Sequence, residues 1–374
     1  MGVHYVHREF GVGPGLPDFS ARLLGSQMQT PSPMPAEPTS TPEPTDSAQI
    51  QLAQLLAVPL VLTDEGVASS SVSLKYIAEK KPLMVVLFGS KLSSDVVAQV
   101  VAELSSLPTP PVIAVDHEGG SVQRLSGPGF TILPSWRELC ASPAEKREAL
   151  LASSAAELKK AGVDLVLGPV IDRSASGSAM GNRACSSDPA VIARIAQEQI
   201  VINQEQGVAS MIKHYPGIGL SRADLHTQSA KIALKPEDVQ PFETLLSVNG
   251  ELPVMISHAR IDPADPETPC SMSYLCVGEL RQVFPEVLLV ADALEMKSAG
   301  FLASSSAVLR PLPERASASL RAGVDVVLFG PSVTEAELDG VLSQMEKDFT
   351  RSGQLDARAQ THLARTKKWR ATLQ

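Results

Sequence analysis

Eight short apolar runs, rich in strand-forming residues, constrain the fold of this chain more than any other feature. They occupy residues 58–62, 83–88, 111–116, 163–168, 208–213, 254–258, 287–292 and 324–329. Continuous rather than alternating hydrophobicity is typical of parallel strands that helices cover on both faces. Eight strand–helix units predict a (β/α)₈ barrel of the α/β class as a single catalytic domain, with a doubly wound open sheet as the alternative.

The segments between the runs are predicted to be amphipathic helices, most clearly at residues 93–106, 144–161, 189–206 and 236–248. Several begin at Ser, Asp or Pro and end near Gly, as helix termini commonly do. A last helix is predicted at residues 355–373, packed outside the barrel. We therefore divide the chain into an N-terminal extension (1–47), a barrel domain (48–350) and a C-terminal helix (351–374).

The N-terminal extension has the composition of a disordered tether. Residues 30–47 contain six prolines among Ser, Thr and Glu, a mixture that builds no core. Such a segment either spaces a domain from a membrane anchor or cell wall, or has no role.

Residues 1–24 lack the apolar segment of a signal peptide, and no run reaches the ~18 apolar residues of a membrane span. We expect no transmembrane segment, and the compartment stays open between cytoplasm, cell envelope and secretion.

Composition and charge argue against several classes of partner. A hydrophobic fraction of 44% with 20% charged residues is that of a globular protein. The net charge of −9 argues against a nucleic-acid partner, because phosphate contacts need a basic surface. The basic run at residues 365–370 is predicted to be the exposed face of the last helix. Neither a P-loop nor a G-x-G-x-x-G motif follows a strand, so nucleotide cofactors have no support.

The chain has four cysteines, Cys140, Cys185, Cys270 and Cys276. They show neither C-x-x-C spacing nor His partners at zinc-finger distances, so we expect no structural metal. Cys270 and Cys276 are close enough in sequence to be bridged. Spacing alone does not decide between a disulfide and two buried thiols.

Titratable side chains stand where apolar runs end. Asp116, Lys213, His258 and Asp292 each close a predicted strand. Active residues of (β/α)₈ barrels project from the C-terminal ends of the strands. Any one of these aspartates could instead cap a helix, but four polar strand ends predict an active site at one mouth of the barrel.

Four motifs follow one another along the chain. They are DHEGGSVQR (116–124), KHYPGIG (213–219), DLH (224–226) and ADALEM (291–296). In this order they resemble the motifs of glycoside hydrolase family 3, and more narrowly those of its single-domain bacterial β-N-acetylglucosaminidases. The likeness extends from about residue 51 to residue 344.

The resemblance implies a retaining exo-β-N-acetylglucosaminidase, free of metal and cofactor. By resemblance it would act on cell-wall muropeptides or related β-linked glycans such as chitooligosaccharides. Separately, we expect a monomer. Asp292 matches the family's nucleophile, and Asp224 with His226 matches its acid/base dyad.

Retention requires a carboxylate on one side of the anomeric carbon and a proton donor near the leaving oxygen. An imidazole with a pKa of about 6.5 exchanges that proton at neutral pH, and a bonded carboxylate fixes its tautomer. We expect Asp292 and His226 to face each other across one sugar ring.

Five further residues match family positions that bind the terminal N-acetylglucosamine: Asp116, Arg124, Arg183, Lys213 and His214. Charge-assisted hydrogen bonds suit a sugar, whose hydroxyl groups must all find partners when buried. The resemblance therefore implies a polar sugar site around the proposed nucleophile.

Three positions depart from the family pattern. Ile218 stands where the family usually has His, Leu225 where it has Ser, and residues 184–185 (AC) where it has Ser-Phe. The first two make the catalytic loop more apolar, but activity is expected to survive because neither is the nucleophile or the acid/base. The alternatives are a β-glucosidase-like hydrolase, a non-catalytic sugar-binding relative, and a lyase or aldolase in which Lys213 forms a Schiff base.

Overall fold

A computed structural model describes residues 47–302 and 305–373 of the chain. Of the predicted N-terminal extension and its tether, residues 1–46 lie outside the described residues. In the described part, every one of the eight apolar runs overlaps a strand of one large sheet.

The barrel strands begin and end within a few residues of the predicted runs. In chain order they are β1 Leu56–Thr63, β2 Met84–Phe88, β3 Val112–Val115, β4 Leu165–Val166, β5 Ala209–Ser210, β6 Ile212–Tyr215, β7 Val254–Ile256, β8 Leu289–Ala291 and β9 Val326–Leu328. Short strands outside the barrel pair with one another or with β1: Gly66–Val67, His117–Gly119, Val122–Gln123, Lys231–Ala233, Arg260–Asp262, Phe301–Leu302, Ser305–Leu309, Thr350–Arg351 and Gln354–Leu355.

The nine barrel strands form a ring in sequence order. From β1 the sheet runs through β2, β3 and β4 to β5, and in the other direction through β9, β8 and β7 to β6. Every one of these neighbouring pairs is parallel. Only Met211 separates β5 from β6 in the chain, so the two ends of the sheet meet in one segment. The (β/α)₈ prediction is confirmed, and the open doubly wound sheet is excluded.

Helices follow the strands and surround the ring. They are α1 Ala48–Ala53, α2 Leu74–Lys80, α3 Ser94–Ser105, α4 Trp136–Ala141, α5 Ala144–Lys160, α6 Pro189–Glu205, α7 Pro236–Val248, α8 Tyr274–Val283, α9 Lys297–Gly300, α10 Leu312–Ala322, α11 Glu335–Phe349 and α12 Ala357–Ala371, with 3₁₀ turns at Gly181–Arg183 and Cys270–Met272. Their starts have local causes. Ser93 accepts the Val96 N–H at the start of α3, and Ser135 with Glu138 forms a capping box on α4.

Helix α12 covers the N-terminal mouth of the barrel. Its Trp369 is buried in the cluster of side chains that fills the barrel, against residues such as Leu83 and Leu288. The Arg370 side chain donates a hydrogen bond to the carbonyl oxygen of Pro110, just before β3. One mouth is thus occupied by the C-terminal helix, which leaves the opposite mouth for a ligand.

The basic run on α12 is only partly an exposed face, which corrects the sequence-based expectation. Lys367 and Lys368 are exposed, but Arg365 lies 3.3 Å from the buried carboxylate of Asp325. The same carboxylate accepts hydrogen bonds from the Arg281 side chain and, at 2.9 Å, from His362 Nδ1. Because a buried carboxylate needs such partners, part of the basic run anchors α12 to the barrel.

The four cysteines form two disulfides, Cys140–Cys185 and Cys270–Cys276. For Cys270 and Cys276, the sequence left a disulfide and two buried thiols as alternatives, and the structure has the disulfide. Cys140 and Cys185 are 45 positions apart, and sequence spacing did not connect them. Among the described helices, none has the length and apolar character needed to cross a membrane.

Candidate active site

The C-terminal mouth of the barrel holds a cavity of about 330 Å³. All eight residues singled out from the sequence line it: Asp116, Arg124, Arg183, Lys213, His214, Asp224, His226 and Asp292. They come from four different strand exits, those of β3, β4, β6 and β8, or the loops that follow them. The ring therefore brings together residues that are up to 176 positions apart in sequence, Asp116 and Asp292.

Lys213, on β6, lies at the base of the cavity and is only 2% exposed. Its Nζ atom is 2.7 Å from Asp116 Oδ1 and 2.6 Å from Glu118 Oε1. Burial alone would lower the pKa of Lys213, but the two carboxylates outweigh it and raise that pKa. A Schiff-base lysine needs a lowered pKa, so this geometry argues against the lyase or aldolase alternative.

Glu118 is a site residue that the sequence reasoning missed. It is buried, and it accepts hydrogen bonds from Arg183 Nε at 2.8 Å and Nη2 at 2.9 Å as well as the Lys213 ion pair. Burial favours a higher pKa, but Lys213 and Arg183 prevail and lower the pKa of Glu118 to about 2. Three cations, Arg124, Arg183 and Lys213, were predicted for one pocket, and their need for a further buried counter-ion was the signal that could have found Glu118.

Arg124 lies on the rim of the same group of charges. Its Nη2 atom is 3.9 Å from Asp116 Oδ2, and its guanidinium carbon lies 5.7 Å from the centre of the Phe88 ring. The aromatic face thus orients Arg124 toward the cavity without neutralising it.

His214 is oriented by a second residue that sequence reasoning missed, Asp172. The fully buried carboxylate of Asp172 is 2.7 Å from His214 Nδ1, and it also accepts the backbone N–H of Ile218 at 2.6 Å. Since Nδ1 faces Asp172, Nε2 faces Arg183, whose Nη2 is 3.4 Å away. Asp172 closely follows the fourth apolar run, so the strand-end rule applied one step further would have found it.

Asp292 follows β8 and is held at the strand end by its backbone. Its N–H donates to the carbonyl oxygen of Ile256 at 2.9 Å, and its Oδ1 accepts the N–H of Ala293 at 2.7 Å. Burial raises the pKa of Asp292, but His214, the Ala293 N–H and Lys213 together lower it below its ordinary value. The side chain is therefore an ionised carboxylate at neutral pH.

His258 belongs to the core beneath Asp292 rather than to the cavity lining. Its Nε2 donates to the carbonyl oxygen of Ala293 at 3.0 Å, and its Nδ1 is 2.7 Å from Ser271 Oγ. Burial lowers the pKa of His258, so the neutral ring accepts the serine proton. From the sequence, His258 could either line the barrel mouth or be a core histidine bonded to a backbone carbonyl, and the structure assigns it to the second role, supporting the turn after Asp292.

The loop after β6 carries Asp224 and His226 over the cavity. The expected contact is present, with His226 Nδ1 2.8 Å from Asp224 Oδ1. The backbone N–H of His226 also bonds this carboxylate and lowers the pKa of Asp224. The imidazole is 66% exposed, whereas Ile218 and Leu225 are buried. The two apolar departures thus form the inner face of the loop.

This fold and this cavity define the class of α/β-barrel glycosidases. The chain matches the family model described as the glycosyl hydrolase family 3 N terminal domain over residues 86–365, well over half of its length. It therefore belongs to glycosyl hydrolase family 3 and is a glycoside hydrolase that acts on carbohydrate.

Curated relatives and solved structures agree with this assignment. A protein named beta-hexosaminidase from Hydrogenovibrio crunogenus is 33% identical over 280 residues, which cover 70% of this chain and 74% of the relative. A beta-hexosaminidase from Thioalkalivibrio sulfidiphilus is 32% identical over 72% of this chain and 80% of its own length. The crystal structure of a beta-N-acetylhexosaminidase from Beutenbergia cavernae shares the fold, with a TM-score of 0.72 and 24% identity over 87% of this chain and 99% of that one.

Proposed function

We propose that the chain is a retaining exo-β-N-acetylglucosaminidase that releases terminal N-acetylglucosamine from cell-wall muropeptides or related β-linked glycans. The observation that carries the proposal is that Asp292 and the Asp224–His226 pair line one cavity at the barrel mouth. The names of the curated relatives, beta-hexosaminidase, support the N-acetylhexosamine specificity.

In the first step, Asp292 attacks the anomeric carbon and His226 gives a proton to the leaving oxygen. The glycosidic bond breaks, and a glycosyl ester of Asp292 forms. In the second step, His226 takes a proton from water, the resulting hydroxide attacks the anomeric carbon, and Asp292 is released as a carboxylate. The lowered pKa of Asp292 supports its role, because only the ionised form is a nucleophile.

Asp224 supports the proton transfer. It bonds Nδ1 of His226, so Nε2 is the atom that exchanges the proton, and the carboxylate stabilises the imidazolium formed in the second step. The high exposure of the imidazole suits a group that must meet both the leaving group and the incoming water.

The charged residues at the base of the cavity would bind the sugar. Asp116 offers acceptor oxygens, while Arg124, Arg183 and Lys213 offer donors. Because Glu118 and Asp116 balance the buried cations, the site presents directed polar groups without a large excess of charge. A neutral sugar suits this balance.

The experiment that tests the proposal compares hydrolysis of 4-nitrophenyl N-acetyl-β-glucosaminide with that of 4-nitrophenyl β-glucoside. We expect turnover of the first, with the β-anomer as the initial product by proton NMR. A preference for the glucoside supports the β-glucosidase-like alternative, and binding of N-acetylglucosamine without turnover supports the non-catalytic one. Digestion of purified muropeptides and of chitooligosaccharides then distinguishes the two substrate sources.

A further inference from the structure

Arg183 lies on a long connection between β4 and α6 that has two attachments to helix α4. Before Arg183, the carbonyl oxygen of Gly181 accepts a hydrogen bond from Arg137 Nη2 at 2.8 Å. After it, Cys185 forms the disulfide with Cys140, with a Cα–Cα distance of 5.6 Å. The two attachments lie two residues to either side of Arg183.

Helix α4 is itself fixed to the barrel, so it can act as a support. The indole N–H of Trp136 donates to the carbonyl oxygen of Val170 at 2.8 Å, and Trp136 and Leu139 are buried in the core. A connection joined to α4 is thereby joined to the rigid part of the molecule.

Cys185 is buried as well as covalently linked. Since a disulfide restricts backbone separation more strictly than an apolar contact does, the crosslink limits how far the backbone beside Arg183 can move.

We propose that the Cys140–Cys185 disulfide is a positioning crosslink for Arg183, and that substrate affinity depends on its oxidised state. This rests on the proposed function, in which Arg183 binds the sugar. Arg183 keeps its bidentate bond to Glu118 only while its backbone stays within reach. When the disulfide opens, the attachment to α4 that follows Arg183 is lost and only the Gly181–Arg137 bond to α4 remains, so the direction of the guanidinium is less strictly fixed.

The second disulfide provides a matched comparison, because Cys270–Cys276 joins the 3₁₀ turn before α8 to the first turn of α8, away from Arg183 in the chain. We would measure kcat and KM for 4-nitrophenyl N-acetyl-β-glucosaminide with the wild type, C140S/C185S and C270S/C276S, each with and without dithiothreitol. Dithiothreitol converts the disulfide to two thiols and is oxidised to its own cyclic disulfide. Mass spectrometry after alkylation records which cysteines are free.

We expect C140S/C185S to show a KM raised about tenfold, with kcat changed much less, because one charge-assisted hydrogen bond is weakened. Dithiothreitol should produce the same shift in the wild type and in C270S/C276S, reoxidation should reverse it, and C140S/C185S should not respond further. A crosslink that only stabilises the fold would lower the melting temperature and leave KM unchanged.

In C270S/C276S treated with dithiothreitol, mass spectrometry shows when Cys140 and Cys185 are free thiols. If KM is then unchanged, the proposal is overturned, even if C140S/C185S does not fold. Arg183→Ala separates this failure from failure of the proposed function. If Arg183→Ala raises KM but opening the disulfide does not, the crosslink is not a positioning device and the sugar-binding role stands. If Arg183→Ala leaves KM unchanged, the positioning role of the disulfide and the sugar-binding role of Arg183 are both wrong.

Discussion

The backbone N–H of Lys297 donates a hydrogen bond of 3.2 Å to the carbonyl oxygen of His226. Lys297 lies five residues after Asp292, so the loop with the proposed acid/base rests on the segment that follows the proposed nucleophile. The next N–H, that of Ser298, bonds the carbonyl oxygen of Leu225 at 3.3 Å. These two contacts link the halves of the proposed catalytic pair, which come from different strand exits.

Asp292→Asn should abolish nearly all hydrolysis, because an amide cannot form the glycosyl ester. We expect kcat to fall by about 10⁴-fold or more, while the circular dichroism spectrum stays that of the wild type. Trapping the wild type with a slow 2-deoxy-2-fluoro glycoside and mapping peptides by mass spectrometry should place the label on Asp292. A label on another residue would show that the nucleophile was assigned wrongly.

His226→Ala should slow substrates with poor leaving groups far more than those with activated phenols. Loss of general acid catalysis costs about 10²- to 10⁴-fold where the leaving oxygen needs a proton, and an activated phenolate leaves without one. The measurement is a plot of log kcat/KM against leaving-group pKa. Gln228→Ala, at an exposed position two residues further on, is the control and should keep the wild-type slope. Equal losses on both kinds of substrate would refute the acid role.

Glu118→Gln should destabilise the protein in a pH-dependent way. The pKa of Glu118 is lowered to about 2 in the folded state, so its stabilising contribution is complete above the unfolded pKa and is lost as pH falls toward 2. At pH 7 we expect a loss of about 3 kcal/mol in the free energy of unfolding.

Urea denaturation at pH 7 and at pH 3 measures the Glu118 effect, and Glu103→Gln on the exposed side of α3 serves as the control. The difference between Glu118→Gln and the wild type should shrink at the lower pH. A difference that is the same at both pH values would contradict the ion-pair interpretation.

Leu225→Ser, which replaces a buried apolar side chain by a small polar one, should loosen the loop that carries Asp224 and His226. Leu225 is 5% exposed, and burial of a leucine side chain stabilises by about 2 kcal/mol. Its loss favours opening of the loop at Arg222, an exposed trypsin site. We expect limited proteolysis after Arg222 to be faster by about tenfold or more. Gln228→Ala, at an exposed position of the same loop, should leave the rate unchanged. A rate in Leu225→Ser equal to that of the wild type would argue against apolar anchoring.

Much of the fold and of the candidate site could be predicted from local patterns. The helix predicted at residues 236–248 has those same bounds in the structure, and the Asp224–His226 contact follows from two residues that are near neighbours in the chain. The exact extents of the short strands were harder to predict, since β4 has only two residues inside a six-residue apolar run.

The partners of the charged residues could not be predicted in this way. Glu118 lies 65 positions from Arg183 and Asp172 lies 42 positions from His214. Each pair depends on side-chain direction at two separate strand exits, which periodicity does not encode. The role of His258 was undecided for the same reason, because a strand-end histidine can point into the mouth or into the core.

The sequence by itself determined the barrel and the mouth at which its polar residues meet. Strands buried on both faces require continuous apolar runs, and parallel strands all end on the same side. Only the tertiary structure decided which carboxylate neutralises which cation, which cysteines are joined, and how the loop with His226 rests beside Asp292. Those pairings depend on distances across the ring. The periodicity of the sequence does not specify distances between strands that are far apart in the chain.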